Sequence, residues 1–292
     1  MLSEIAALLS IWDHLKRFWK WLTGKIDSPA ETVATRFLRL FETHGVHRNQ
    51  IPRVFGNGIT LVDVQSDEAL LGMLNDRILD AACQLFAVRR EWLDGAESQI
   101  HPLHDFYKNP ESFRHFLGAL EEANRSGKIT GTVYFPEEPD ADEALLILEE
   151  RIGFVGEKPI FRFHLCNNWS VSYWRSRGYL AACVAIAWKS KAYVNGHYLP
   201  AEEIERLRNG ESLLGWAGEG LPMGSGLWHP DDMALYPKKY LERVDPERRK
   251  FGYASALKLW LDLAERGCMD IGIERNSVSL FKRELAKYEG DV

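Results

Sequence analysis

Five closely spaced side chains, His47, Arg48, Asn49, Gln50 and Arg53, bring together the donors and acceptors that read base edges. Asn and Gln amides pair bidentately with adenine, an Arg fork pairs with guanine, and Arg or His holds phosphate. From Arg36 to Arg53 four arginines (Arg36, Arg39, Arg48 and Arg53) stand against Glu42 alone, a local net charge of +3 in a chain of net charge −6. Such a segment can meet phosphates while the rest of the chain stays acidic. Ile51 and Val54, three apart, suit the inner side of a short helix and leave their polar neighbours outward. The candidate DNA-contacting set is Arg36, His47, Arg48, Asn49, Gln50 and Arg53.

A second set lies further on, where Trp169, Tyr173, Trp174, Tyr179, Trp188 and Tyr193 crowd around Arg175 and Arg177. Small-molecule pockets are largely apolar with a few polar groups, so Trp169, Tyr173, Trp174, Arg175 and Arg177 form a candidate site for an anionic ligand. Core packing is the competing reading of the aromatic residues. Other combinations carry less. His101, His104 and Asp105, or His164 with Cys166, lack the fourth ligand that a structural zinc needs, so no metal or other cofactor is expected. The glycines at 218, 220, 224 and 226 lack the Lys-Ser/Thr of a phosphate-cradling loop and read as a flexible loop. No Gly-x-Ser-x-Gly or His-Glu-x-x-His is present, and no enzyme activity is expected. Cys83, Cys166, Cys183 and Cys268 are scattered without a Cys-x-x-Cys pair and read as reduced core thiols.

The elements that would position these groups follow from periodicity and punctuation. Residues 5–22 place Ile5, Leu8, Leu9, Trp12, Leu15, Phe18, Trp19 and Leu22 at helical spacing, an amphipathic helix suited to packing on the body, to a dimer contact or to a membrane surface. Ser28-Pro29 signals a start, and residues 32–44 form a helix that Gly45 ends. A short segment at 47–55 follows, then helices near 67–74, 77–86 and 89–93. Residues 99–104 read as linker and 110–126 as helix. Strands are expected at 128–135 and 160–165, and Asn195-Gly196 is a hairpin signal because both residues tolerate positive φ. Residues 174–189 read as a buried helix, with further helices at 201–208 and 250–266.

The run Gly45-Val46-His47-Arg48-Asn49-Gln50-Ile51 looks like the Gly-Val-Ser-Arg-x-x-Ile run of many bacterial helix-turn-helix proteins. The stretch from Leu79 to Gly95, with Val88-Arg89-Arg90-Glu91-Trp92-Leu93, looks like the closing helix and Trp-Leu ending of the repressor-like XRE family. The resemblance covers residues 33–95. It implies a helix-turn-helix that binds double-stranded DNA as a homodimer, with its second helix in the major groove. Pro52 implies a second helix that is short or begins late, since proline has no N–H to donate.

The expected architecture is an all-α helix-turn-helix N-terminal domain followed by an α+β domain: an amphipathic helix and linker at 1–27, DNA-binding residues 28–98, and a sensor or interaction domain at 99–292. The expected function is a cytoplasmic DNA-binding transcriptional regulator answering to a small-molecule or protein effector. The alternative is an interaction adaptor whose helix-turn-helix no longer contacts DNA.

Overall fold

The computed structural model describes residues 31–125, 127–215, 221–246, 252–273 and 275–289. The amphipathic stretch at 5–22, Ser28-Pro29, Gly218 and Gly220 lie outside the described residues.

The helical unit begins at Thr32, whose hydroxyl accepts from the Thr35 N–H at 3.2 Å and caps α1 (Val33–Thr43). Phe37, Leu40 and Phe41 on α1 are fully buried. Each contributes about 1.5–3 kcal/mol to the core. Gly45 takes φ +80 and closes the helix, with its N–H on Glu42 O and that of Val46 on Phe41 O, both at 2.9 Å. The second segment divides into a 3-10 turn (Arg48–Gln50) and α2 (Ile51–Val54). The proline is the reason. Pro52 is the second residue of α2, where a helix has no internal acceptor for an N–H, so the helix begins around it rather than breaking at it. Then come α3 (Asp67–Met73), α4 (Asp76–Phe86) and α5 (Arg90–Leu93).

The rest is α+β, as its patterning implies. In chain order it contains β1 (Leu103–Asp105), α6 (Pro110–Ala123), β2 (Ile129–Pro136), β3 (Glu143–Val155), β4 (Lys158–Ser170), α7 (Trp174–Lys189), β5 (Val194–Leu199), α8 (Ala201–Arg208), β6 (Ser225–Trp228), α9 (Asp232–Leu235), α10 (Pro237–Leu241), α11 (Gly252–Glu265) and α12 (Ser277–Glu289). The six strands form one mixed sheet in the order β1-β4-β3-β2-β5-β6, with β1 parallel to β4 and β2 parallel to β5. Side chains alternate between its faces. Val133, Leu146, Leu148 and Cys166 join the core that includes α6, α7, α11 and α12. Tyr134, Leu145, Ile147, Phe163 and Leu165 join the smaller core with Ile204 and Leu207 of α8.

Three expectations are corrected. The hairpin at Asn195-Gly196 is absent: β5 runs straight through both residues, paired to β2. Gly196 is required by proximity, since a Cβ there would lie 2.3 Å from Cε2 of Trp228. The linker at 99–104 contains the start of β1 and the fully buried His101. The strand expected at 160–165 is the middle of a 13-residue strand, and its 13-residue partner β3 escaped detection. Residues 144–148 of β3 are buried on both faces, so they show a continuous apolar run instead of an alternation.

The helical unit and the sheet share one seam. Ile100, Ile160 and Leu213 belong to the apolar cluster of α1, α4 and α5. Arg89 N–H donates to Ile100 O at 2.7 Å, and Arg162 Nη1 donates to Gln84 O of α4 at 3.0 Å. Arg162 also forks onto Glu150 at 2.6 and 2.8 Å, a carboxylate with no exposure that further accepts from His164 and Asn124, each at 2.9 Å. Burial pushes the Glu150 carboxyl up, but these donors outweigh it and hold it down at about 2.

All four cysteines are unpaired and buried. Among the described residues no helix is long and apolar enough to cross a membrane.

Candidate functional site

The bend between α1 and the 3-10 turn has the parts a helix-turn-helix needs. Val46 is fully buried behind Gly45, and Ile51 is fully buried at the start of α2, so the second segment is braced against the first. Phe55 packs edge-on to Phe37 and Phe41 with centroids 5.9 and 5.2 Å apart. His47 is in an extended conformation and caps the segment: its ring nitrogen accepts from Asn49 N–H, and its own N–H donates to Gln50 Oε1 at 2.9 Å. This is a capping box built on His and Gln.

That geometry sorts the six candidate DNA-contacting residues into two groups. His47, Asn49 and Arg53 are exposed, and the latter two have side chains uncommitted among the described residues. Arg36, Arg48 and Gln50 hold the fold. Arg36 donates to Trp92 O at the end of α5 and pairs with Glu31 at 3.1 Å. Arg48 pairs with Asp67 in the first turn of α3. Gln50 completes the cap. The Trp-Leu ending thus acts as a brace: Trp92 is 3% exposed, lies under the guanidinium of Arg39 at 5.4 Å and offers its carbonyl to Arg36.

Most other charges of this unit are neutralised locally. Arg90 binds Asp76, Asp80 and Asp94 at 2.6 to 2.9 Å, and Arg89 binds Glu97 at 2.6 Å. From Glu31 to Glu97 the chain holds ten carboxylates against seven arginines and no lysine, so the +3 stretch lies within an acidic unit. Beside the bend, Glu42, His44, Gly45 and His47 face Val155, Lys158, Pro159 and Ile160 of the β3–β4 hairpin across a groove of about 750 Å³.

The structure separates the five ligand-binding candidates. Trp169 is core, 1% exposed, with its indole N–H on Cys166 O at 2.9 Å. Tyr173 and Trp174 are half-buried and pack edge-on to each other at 6.2 Å, with Tyr107 6.4 Å from Tyr173. Arg175 is exposed and lies over the Trp174 ring at 4.8 Å. Arg177 points the other way. It is buried and lines a cavity of about 240 Å³ with residues of β2, β5, β6 and the segment 229–243. The partners of Arg177 are Phe135, Met233 and Glu242, all distant from it in sequence, which is why the aromatic pattern around residue 174 could not locate them.

Among the described residues no group of three or more His, Cys, Asp or Glu side chains is placed to hold a metal. His101, the first member of one sequence candidate, is fully buried and accepts from Leu214 N–H at 3.4 Å. No family model, curated protein or solved structure matches this chain.

Proposed function

We propose that this protein is a DNA-binding regulator whose helix-turn-helix contacts duplex DNA through His47, Asn49 and Arg53, and whose α+β region senses an effector. The observation that carries this reading is the capped, internally braced second segment that leaves those three side chains exposed on one short stretch. Asn49 suits adenine and Arg53 suits guanine or phosphate, while His47 is placed for the backbone. With so few free cations the interface takes a small electrostatic contribution and depends more on shape and base contact than a basic domain does.

The test is a gel-shift selection of the full chain against a random-sequence duplex pool, followed by a salt titration on the enriched sequence. Enrichment is expected, with affinity falling as salt rises and at least a tenfold loss in Asn49→Ala and Arg53→Ala but not in Glu68→Ala. No enrichment at low salt, or equal losses in all three variants, would sink the reading. A second reading, a protein-interaction adaptor on the same scaffold, is favoured by the acidic balance of residues 31–97. It predicts no enrichment at any salt concentration.

A further inference from the structure

Arg177 is 2% exposed and pairs with no carboxylate among the described residues. Its guanidinium lies over the Phe135 ring at 4.8 Å, Nη1 donates to Met233 sulfur at 3.3 Å, and Nη2 donates to Glu242 O at the end of α10. Its Nε has no partner among the described residues. Two of five N–H donors are therefore used, both on neutral acceptors. Burying a cation without a counter-charge costs several kcal/mol, and proteins rarely keep one unless something pairs with it. Burial lowers Arg177 to about 10, which leaves it charged at neutral pH.

Two neighbouring charges are already engaged. The Glu242 carboxylate binds Lys239 at 3.1 Å, and Arg243 is held by the carbonyls of Pro136, Glu138 and Ala141 at 2.7 to 3.0 Å. The 240 Å³ cavity lies directly against Arg177. Its walls include Phe135 and Trp228, whose rings pack at 4.5 Å, and Tyr198. The Trp228 indole N–H is buried and likewise without a partner among the described residues. Leu227, which also lines the cavity, is 63% exposed.

We propose that this cavity binds a small organic carboxylate with a flat apolar body, the carboxylate on the free N–H groups of Arg177 and the body against the aromatic wall. An arginine fork matches carboxylate geometry, and a cavity of about 150 Å³ already accommodates benzene, so a ring bearing one carboxylate fits the space. Arg177, Lys239 and Arg243 line the cavity against Asp232 and Glu242, a net charge of +1 that suits a monoanion better than a dianion such as phosphate. The inference extends the sensing role proposed above to a ligand class and is independent of DNA binding.

Isothermal titration of the full chain in DNA-free buffer, with sodium benzoate as the probe and sodium phosphate as the contrast, tests it. Saturable one-to-one benzoate binding is expected, unaffected by phosphate and at least tenfold weaker in Arg177→Gln. Because Arg177 also holds α10, Leu227→Glu serves as the second variant: it sets a carboxylate at an exposed edge of the cavity and should weaken benzoate at least tenfold without altering the circular dichroism. No saturable heat, binding undiminished in Leu227→Glu, or phosphate binding tighter than benzoate would overturn the assignment. Measured without DNA, its failure leaves the duplex-selection result standing.

Discussion

The helix-turn-helix face and the interior of the α+β region use arginine in opposite ways. Arg48 is partly exposed, with its charge met by a carboxylate of the next helix. Arg162 is mostly buried and forked onto the fully buried Glu150, while Arg177 is buried with backbone and sulfur acceptors only. An exposed pair is worth about 0–1 kcal/mol, whereas an interior charge that loses its partner costs several times that. The face is therefore cheap to alter and the interior is not. A surface that must meet a partner is drawn from the first kind of site, and a charge retained in the second kind calls for a counter-charge.

Acid should separate the two regions most strongly. The seam between the helical unit and the sheet holds His44 and His101, and His104 lies on β1 beside Phe116 of α6. Burial lowers His44 to about 4, with its hydrogen bond to Leu40 O opposing, and burial together with nearby His164 lowers His104 to about 4. Burial, reinforced by His44, lowers His101 to about 3. In the unfolded chain each titrates near 6.5. Between those values the unfolded chain binds protons that the folded chain refuses, so the contribution is complete above pH 6.5 and is lost as pH falls toward 4. His44 and His101 each remove up to about 1.4 kcal/mol per pH unit in that window, and the partly exposed His104 removes less. Urea denaturation at pH 7.5, 6, 5 and 4.5 should show a steep decline, made shallower by His101→Gln. A flat profile would mean that these rings stay solvated.

A smaller but still large loss is expected from Arg162→Ala. It removes both bonds of the fork from Glu150 and cuts the link to Gln84 O, leaving a buried carboxylate with His164 and Asn124 alone. Breaking such a pair costs about 3–5 kcal/mol. Chemical denaturation measures it, and Glu150→Gln introduced into Arg162→Ala should recover part of the loss by removing the stranded charge. A loss below about 1 kcal/mol for Arg162→Ala would place the pair with the surface bridges.

Most of the architecture was legible because its causes are local. Helical spacing located α1 and α6, and the Ala-rich run from Leu180 to Ala187 marked α7 as a buried helix. Pro52 announced a short or late second helix, and the structure contains one. What escaped has its cause elsewhere in the chain. Gly196 makes room for Trp228, not for a turn, and β3 hides its alternation because both faces are covered. At the candidate face, the pairing of Gln50 with His47 spans three residues and follows a capping pattern, whereas Arg48 meets its carboxylate 19 positions away at Asp67. In the α+β region, the cluster around residue 174 pointed to Arg177 but not to its cavity, whose walls come from residues 135 and 198–243.

The smallest stability effects bear most directly on function. Arg53 is exposed with no carboxylate partner among the described residues, so Arg53→Ala should change stability by no more than about 0.5 kcal/mol. Arg48→Ala should cost about 0–1 kcal/mol, discounted because both partners are partly exposed, with side-chain exposures of 28% and 45%. Asp67→Ala should cost about the same. Duplex affinity should rank the two arginines the other way. On the proposed duplex reading, Arg53→Ala loses a contact while keeping the fold, whereas Arg48→Ala acts only through the position of α3. Restoring the Arg48 pair in the opposite sense, with Arg48→Asp and Asp67→Arg together, should then recover stability and leave affinity close to the parent. If the swapped pair is stable but no longer binds, Arg48 is a contact in its own right and its pairing with Asp67 is released on the duplex.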